Sequence, residues 1–359
     1  MNMQYEIDYI PVGTGEKGGD AIAIRYGDFS SPTTQNVIVI DGGTKDSGKK
    51  LVEHIKTYYG TTYVDVVIAS HLHNDHISGL TEVLENLTVG KLVVHAPWDH
   101  TPAIKRMTKT SSTIGNLQTR LEKSVSGLSE LIDLAESKKI TIQSPFQGEH
   151  IIQGQLAVLG PAKDYYQELL ANFGITPEVK EQHKIGEIFS TIGKSVVNWI
   201  AETLHIETLS DDHPDTDSEN NSSLVLLLAL DTGNGIIKRF LFTGDAGKGA
   251  LTKVVEYCDS QNYSLEGIDF FDVPHHGSKR NLGPTILNRI KPKVAFISCP
   301  PEGDPKHPSR KVVNALIRRG CAVHKNHQGN TINHNSGNVP ARVGWNSITP
   351  TQFHDQVEE

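Results

Sequence analysis

The chain has 359 residues, 37% of them hydrophobic, which is ample for one large core, and a net charge of −8 that by itself disfavours nucleic acid as a partner. Its longest apolar run, residues 224–230, is strand-sized, and the N-terminal residues lack a cationic start followed by an apolar stretch. Neither a membrane span nor a secretory signal is therefore expected, and a cytoplasmic location is. Three cysteines, Cys258, Cys299 and Cys321, have no metal-ligand spacing and exclude a disulfide framework.

In chain order, residues 7–12 are apolar-rich, residues 13–20 are a glycine-laden turn and residues 21–26 alternate, which predicts a β-hairpin. Residues 36–40 (Asn-Val-Ile-Val-Ile) form a β-branched strand that ends at the turn Asp41-Gly42-Gly43. Helical spacing follows over residues 48–59. Residues 64–69 are a continuous apolar run, suited to a strand covered on both faces, and they lead straight into His71. Residues 77–87 are predicted helical, with Asn74 and Asp75 as capping types at the start, and residues 91–96 as a strand. Residues 101–137 carry helical leucines, residues 140–142 and 155–159 are short strands, and residues 164–206 are mostly helical. Residues 207–219 hold six acids and no base, which predicts a solvated loop. A hairpin from residues 224–230 and 239–242 delivers Gly244-Asp245, and a strand at residues 268–273 delivers Pro274-His275-His276-Gly277-Ser278. A strand at residues 294–298 and a helix at residues 309–319 complete the reading. Alternating strands and helices predict one layered α/β sandwich over residues 1–359, with a helical insertion at residues 164–219.

The string that carries chemistry is Ser70-His71-Leu72-His73-Asn74-Asp75-His76. His71 and His73, two apart on a nearly extended turn, can converge on one ion. Asp75 and His76, at a helix start, can face a second ion beside it. Imidazole nitrogen and carboxylate oxygen are ligands that zinc and manganese-class ions accept.

His71-x-His73-x-Asp75-His76 resembles the signature of the metallo-β-lactamase superfamily. The resemblance implies a four-layer αββα sandwich holding two divalent ions, zinc or manganese. It also implies that Asp41 supports a ligand histidine from behind, that Asp245 bridges the two ions, and that His275 or its neighbour His276 completes the second ion's ligands. His275 is favoured because it ends the strand. Further strings are similar to the metallo-β-lactamase domain of ComEC-type competence DNA-uptake proteins, in the same order. They are Gly18-Gly19-Asp20-Ala21, Asp41-Gly42-Gly43, Asn220-Asn221-Ser222-Ser223-Leu224, Thr243-Gly244-Asp245-Ala246, Pro274-His275-His276-Gly277-Ser278 and His307-Pro308. One place departs from the superfamily: where many members have a histidine as third ligand to the first ion, this chain has Asn220, as ComEC-like domains do. His205 and His213 lie near it in sequence and are open substitutes. The ComEC-like place of His307 implies a role near substrate. Ser278 and Lys279, following the late histidines, are candidates for phosphate contact.

Paired ions about 3.5–4 Å apart would share a water, lower its pKa and present hydroxide at neutral pH, with Asp75 orienting the nucleophile's proton. Residues 274–342 hold twelve Lys/Arg against two acids, a local charge of +10 that leaves −18 for the remainder. This predicts a basic face, or basic residues dispersed over an outer helix and loops. The expectation is a metal-dependent hydrolase, a nuclease or phosphodiesterase acting on DNA. The alternatives are a small-molecule phosphodiesterase, a lactone or thioester hydrolase, or an effector subunit gated by a protein partner, with the acidic residues 207–219 covering the basic face.

Overall fold

The computed structural model describes residues 3–13, 18–108, 112–173, 198–300, 306–326, 330–339, 342 and 348–359. The strands are β1 (Gln4–Tyr9), β2 (Ala21–Gly27), β3 (Gln35–Gly42), β4 (Tyr63–Ile68), β5 (Thr88–Val93), β6 (Thr141–Gln143), β7 (His150–Ile152), β8 (Leu156–Gly160), β9 (Trp199–Ala201), β10 (Val225–Asp231), β11 (Ile237–Phe242), β12 (Phe270–Asp272), β13 (Val294–Ile297), β14 (Ala322–Lys325), β15 (Ile332–Asn335) and β16 (Gln356–Glu358). They form two seven-stranded sheets, ordered β15-β1-β2-β3-β4-β5-β6 and β14-β13-β12-β11-β10-β8-β7, and a separate β9-β16 pair.

Period-two alternation decides which side chains face which layer. Ile38 and Ile40 of β3 and Leu226, Leu228 and Leu230 of β10 meet between the sheets, with Phe240, Phe242, Phe270 and Phe296. Val37 and Val39 point outward beneath the helices Lys45–His54, Leu80–Asn86 and Ser126–Ser137. Val225 and Leu227 point outward on the other side, beneath the helices Lys248–Ser260, Pro284–Ile290 and Arg310–Arg318. Strands buried on both faces need a helical layer on each side, so the architecture is the four-layer αββα sandwich.

The predicted helix over residues 77–87 is two helices, Asn74–Ile77 and Leu80–Asn86, parted at Gly79. A Cβ on Gly79 would sit 1.9 Å from the Gly42 carbonyl oxygen, so glycine there lets the chain cross the end of β3 at backbone contact. The same crossing holds the His73–His76 turn through Gly43 N–H to His76 O, 3.2 Å.

Three expectations are refined. Within residues 164–206 the described helix is Lys163–Leu170. The β-favouring Trp199–Ala201 is a strand, paired antiparallel with Gln356–Glu358, and residues 174–197 of the expected insertion lie outside the described residues. Residues 207–217 are the expected irregular segment, with Asp211, Asp212 and Asp217 exposed, but two of its acids also bond to neighbouring helices. Asp215 accepts from Lys248 N and Gly249 N at the start of the helix Lys248–Ser260, and Asp211 accepts from Thr285 at the start of Pro284–Ile290. Part of the basic stretch is neutralised by acids. Arg289, Lys291, Lys293, Arg318, Arg319 and Arg342 pair with Asp259, Glu266, Asp269, Glu202, Glu207 and Glu6, because these cations rim the outer helices beside acids from other segments. Among the described residues no helix is long and apolar enough to cross a membrane.

Candidate metal centre

The predicted ligands converge at one edge of the sandwich. β3 and β4 run parallel in one sheet, and β11, β12 and β13 run parallel in the other. Their carboxyl ends therefore open on the same rim, where parallel strands leave a crevice for ligands. Asp41 is in β3 near its end, His71 lies just past β4, Asp245 follows β11, and His275 and His276 follow β12.

Hydrogen bonds around Asp41 fix which ring nitrogens are bare. Its buried carboxylate accepts from Ser70 N at 2.7 Å, Ser70 Oγ at 2.6 Å and His76 Nδ1 at 2.8 Å. His76 Nδ1 therefore carries the proton and leaves Nε2 with a free lone pair. Ser70 spends its one hydroxyl proton on Asp41, so its oxygen must accept from His71 Nδ1, 3.0 Å away, and His71 Nε2 is bare as well. His276 Nδ1 donates to Ser298 O at 2.9 Å and likewise frees its Nε2.

The bare atoms face one another. His71 Nε2 lies 3.1 Å from His73 Nδ1 and 3.7 Å from Asp245 Oδ2. His76 Nε2 lies 3.5 Å from Asp245 Oδ1, and both of these atoms are buried without a hydrogen-bond partner. Ligand atoms of His71, His73 and Asp245 fall within 4.8 Å of one another, as do those of Asp75, His76 and His276 and those of Asp20, His76 and Asp245.

Electrostatics favour cations here. Asp20, Asp41, Asp245 and Asp272 are buried; among the described residues the first three pair with histidines, Asp272 accepts from Tyr9 and Thr243, and no lysine or arginine ion pair is formed with any of the four. Burial pushes the Asp20 carboxyl well above its usual range and that of Asp272 up to about 7. Burial opposes ionisation of Asp245 too, but the imidazoles of His275 and His76 outweigh it and hold the carboxyl well below its usual value. Burial drives His71 well below the ordinary histidine range and His276 to about 4, so both rings present lone pairs at neutral pH. Four buried carboxylates, bare imidazole nitrogens and two facing orphaned atoms fit divalent ions, and the all-nitrogen-and-oxygen donor set suits zinc or manganese.

Of the two adjacent histidines, His276 and not the favoured His275 joins Asp75 and His76. The strand register that favoured His275 does not extend into the turn: φ is 48° at His275 and 54° at His276. Two successive non-glycine residues in the left-handed region cost about 1–3 kcal/mol each and mark a tightly constrained turn. His275 still reaches the site, with Nε2 3.8 Å from Asp245 Oδ2. His307 stacks on His275, ring centroids 5.4 Å apart, and its buried Nδ1 has no partner. Asn220 Nδ2 lies 3.4 Å from His275 Nδ1. Neither His205 nor His213 joins the ligand groups: His205 is exposed, and His213 sits beside Lys248 and close to Lys279 and Lys311. Ser278 is buried and shapes the turn through Ser278 N to His275 O, and Lys279 Nζ donates to Glu359 O, so neither contact points to phosphate.

Sequence reading missed several residues here. Asp20 lies between His76 and His276, at 3.7 and 3.8 Å from their Nδ1 atoms, and its only signal was the Gly18-Gly19-Asp20 string. A Cβ on Gly19 would sit 2.0 Å from Asp75 O, so that string also lets the hairpin turn close against the ligand loop. Ser223 Oγ accepts from Asp245 N at 3.1 Å. Tyr9 donates to Asp272 Oδ1 at 2.6 Å and Asn281 Nδ2 donates to Asp245 O at 2.8 Å, and neither had a sequence signal.

Residues 19–133 match the family model of the metallo-beta-lactamase superfamily. The chain is 33% identical over 156 residues to ComE operon protein 3 of Bacillus subtilis (strain 168), covering 44% of this chain and 18% of that protein. It is 32% identical over 151 residues to Recombination protein 2 of Haemophilus influenzae, covering 42% of this chain and 17% of that protein. The chain thus spans less than a fifth of the length of either relative in these matches. Among solved structures, a diphosphatase of the PhnP family superposes at TM-score 0.42 with 10% identity, covering 93% of this chain and 99% of that one. A long-form RNase Z from yeast superposes at TM-score 0.37 with 12% identity, covering 92% and 41%.

Proposed function

We propose that this metallo-beta-lactamase-fold chain is a two-metal phosphodiesterase that cleaves DNA. The observation that carries the reading is the pair of ligand groups on either side of Asp245, one with His71 and His73 and one with Asp75, His76 and His276. His71, His73, Asp75, His76, His276 and Asp245 would hold two divalent ions, which would supply Lewis-acid activation of water and charge neutralisation at a phosphoryl group. The chain's own residues do the positioning. Asp41 and Ser70 lock the His71 and His76 tautomers, Asp245 offers one oxygen to each side, and Asp75, exposed at the rim, orients the nucleophile's proton. His307, whose pKa burial lowers to about 3, stays neutral, and its unpartnered Nδ1 beside His275 can accept a hydrogen bond from substrate.

DNA as substrate is supported by the names of the two relatives, one from a ComE operon and one a recombination protein, and by the ComEC-like strings. Exposed Lys306 also directly precedes His307 in sequence. A small phosphodiester is the second reading, favoured by the pairing of six of the twelve basic residues with carboxylates, which weakens any long polyanion track.

The test is cleavage of linear and circular DNA by metal-stripped protein after Mn²⁺, Zn²⁺ or Mg²⁺ is restored, beside an Asp75→Ala, His76→Ala control. Metal-dependent cleavage lost in the control supports the nuclease. Two bound ions with no cleavage by any metal would move the assignment to small phosphodiesters.

A further inference from the structure

We infer that His275 is the third imidazole ligand of the ion held by His71 and His73, filling the place that Asn220 leaves without a histidine. This deepens the two-ion reading above and rests on it.

Asp245 divides its surroundings between its two carboxylate oxygens. His71 Nε2 and His275 Nε2 lie 3.7 and 3.8 Å from the same oxygen, Oδ2. His76 Nε2 lies 3.5 Å from the other oxygen, Oδ1. The ring on the Oδ1 side is completed by His276, grouped with Asp75 and His76. Two consecutive residues thus reach the surroundings of one carboxylate, whereas on a strand their side chains would diverge to opposite faces. The successive left-handed residues at 275 and 276 provide that turn instead. The result is three imidazoles and one carboxylate oxygen on the first side, a four-ligand set of the kind zinc and manganese accept.

The tautomer of His275 agrees. Asn281 Nδ2 donates to two backbone carbonyls, Asp245 O at 2.8 Å and Ala246 O at 3.3 Å, so its amide cannot be reversed without setting oxygen against oxygen. Asn281 Oδ1 therefore faces His275 Nδ1 at 3.1 Å, the proton sits on Nδ1, and Nε2 is bare. Rotating the Asn220 amide brings its otherwise unpartnered Oδ1 to the same N–H, with Thr216 Oγ1 able to donate to it as well. Asn281 is then a positioning residue: it sets the ring nitrogen that His275 presents.

Metal uptake, measured separately from cleavage, tests this. Metal-stripped wild type and variants are titrated calorimetrically with Mn²⁺ and Zn²⁺, and bound metal is counted after dialysis. His275→Ala is expected to weaken one of two ions by about 100-fold or more, given that even an outer hydrogen-bond partner is worth about 10–100-fold. Added to His71→Ala it should cost little further, since the same ion is already lost, whereas His275→Ala with His276→Ala should lose both ions. Asn281→Leu should weaken the first ion about 10–100-fold, and Asn281→Asp, which keeps an oxygen against Nδ1, should restore most of that. Two ions bound by His275→Ala with wild-type affinity would overturn the assignment, as would losses that add to His71→Ala but not to His276→Ala. Wild-type protein that takes up fewer than two ions also overturns it. Correct metal behaviour without DNA cleavage leaves the assignment standing and removes only the nuclease reading.

Discussion

Replacing Asp41 by asparagine isolates the role of a buried carboxylate behind the ligands. Asp41 has φ 54°, a region asparagine adopts readily, so Asp41→Asn leaves the backbone undisturbed. The amide keeps one oxygen for Ser70 N–H. Its NH₂ then faces His76 Nδ1, a second donor, at the position now 2.8 Å away. The favourable escape is for His76 to move its proton to Nε2, which removes the lone pair aimed across at Asp245 Oδ1. Loss of such an outer contact is worth about 10–100-fold in metal affinity, or about 1.4–2.8 kcal/mol. Stability of the metal-free protein is a poor measure of this effect. Its buried charge also raises the Asp20 and Asp272 carboxyls, so the substitution relieves repulsion while it loses a charge-assisted bond worth about 1.5–3 kcal/mol. The assay is therefore a two-site calorimetric titration of stripped protein against a competing chelator. Both ions binding within about threefold of wild type, below the lower bound for an outer partner, would falsify the tautomer-locking role.

Other outcomes follow from the same geometry. Asp215→Ala removes the carboxylate that accepts from Lys248 N and Gly249 N, and should cost about 0.5–2 kcal/mol in urea unfolding as a lost helix cap. A change below that range would assign the cap to solvent. His95 is buried, donates to Pro145 O, and burial lowers its pKa to about 4, so the unfolded chain binds the proton first. Its stabilising contribution is complete above about pH 6.5 and is lost on acidification toward pH 4, at up to about 1.4 kcal/mol per pH unit. His95→Leu should flatten that part of the stability–pH curve, and an unchanged slope sinks the account. If DNA is the substrate, Lys306→Ala should reduce the slope of log K against log salt by about 1. An unchanged slope would take Lys306 off the binding surface.

The fold was legible where pattern is local. Asn36-Val37-Ile38-Val39-Ile40 states its two faces outright, and the apolar run at residues 224–230 becomes a strand with both faces buried. The ligand string at residues 71–76 was equally readable, because its spacing and its position after a core strand are both local. What was hidden depends on contacts distant in sequence. Asp215 and Asp211 look like solvated acids until they meet helix starts 33 and 74 residues away. The pairing of Trp199–Ala201 with Gln356–Glu358 is likewise invisible to periodicity. Asn281 carries no motif, yet its bonds to Asp245 O and His275 Nδ1 orient two ligands. His275 and His276 could not be told apart because their assignment rests on the sign of φ, which the composition of a Pro-His-His-Gly turn does not reveal.

That turn would also couple the two proposed ion sites. His275 and His276 share one peptide unit, with His275 Nε2 facing Asp245 Oδ2 and His276 grouped with Asp75 and His76. The unit is held without any ion, through His275 N to Gly244 O, Gly277 N to Pro274 O and His276 Nδ1 to Ser298 O. Its ordering therefore belongs to folding and not to ion binding, so a substitution that loosened the turn should weaken both sites together.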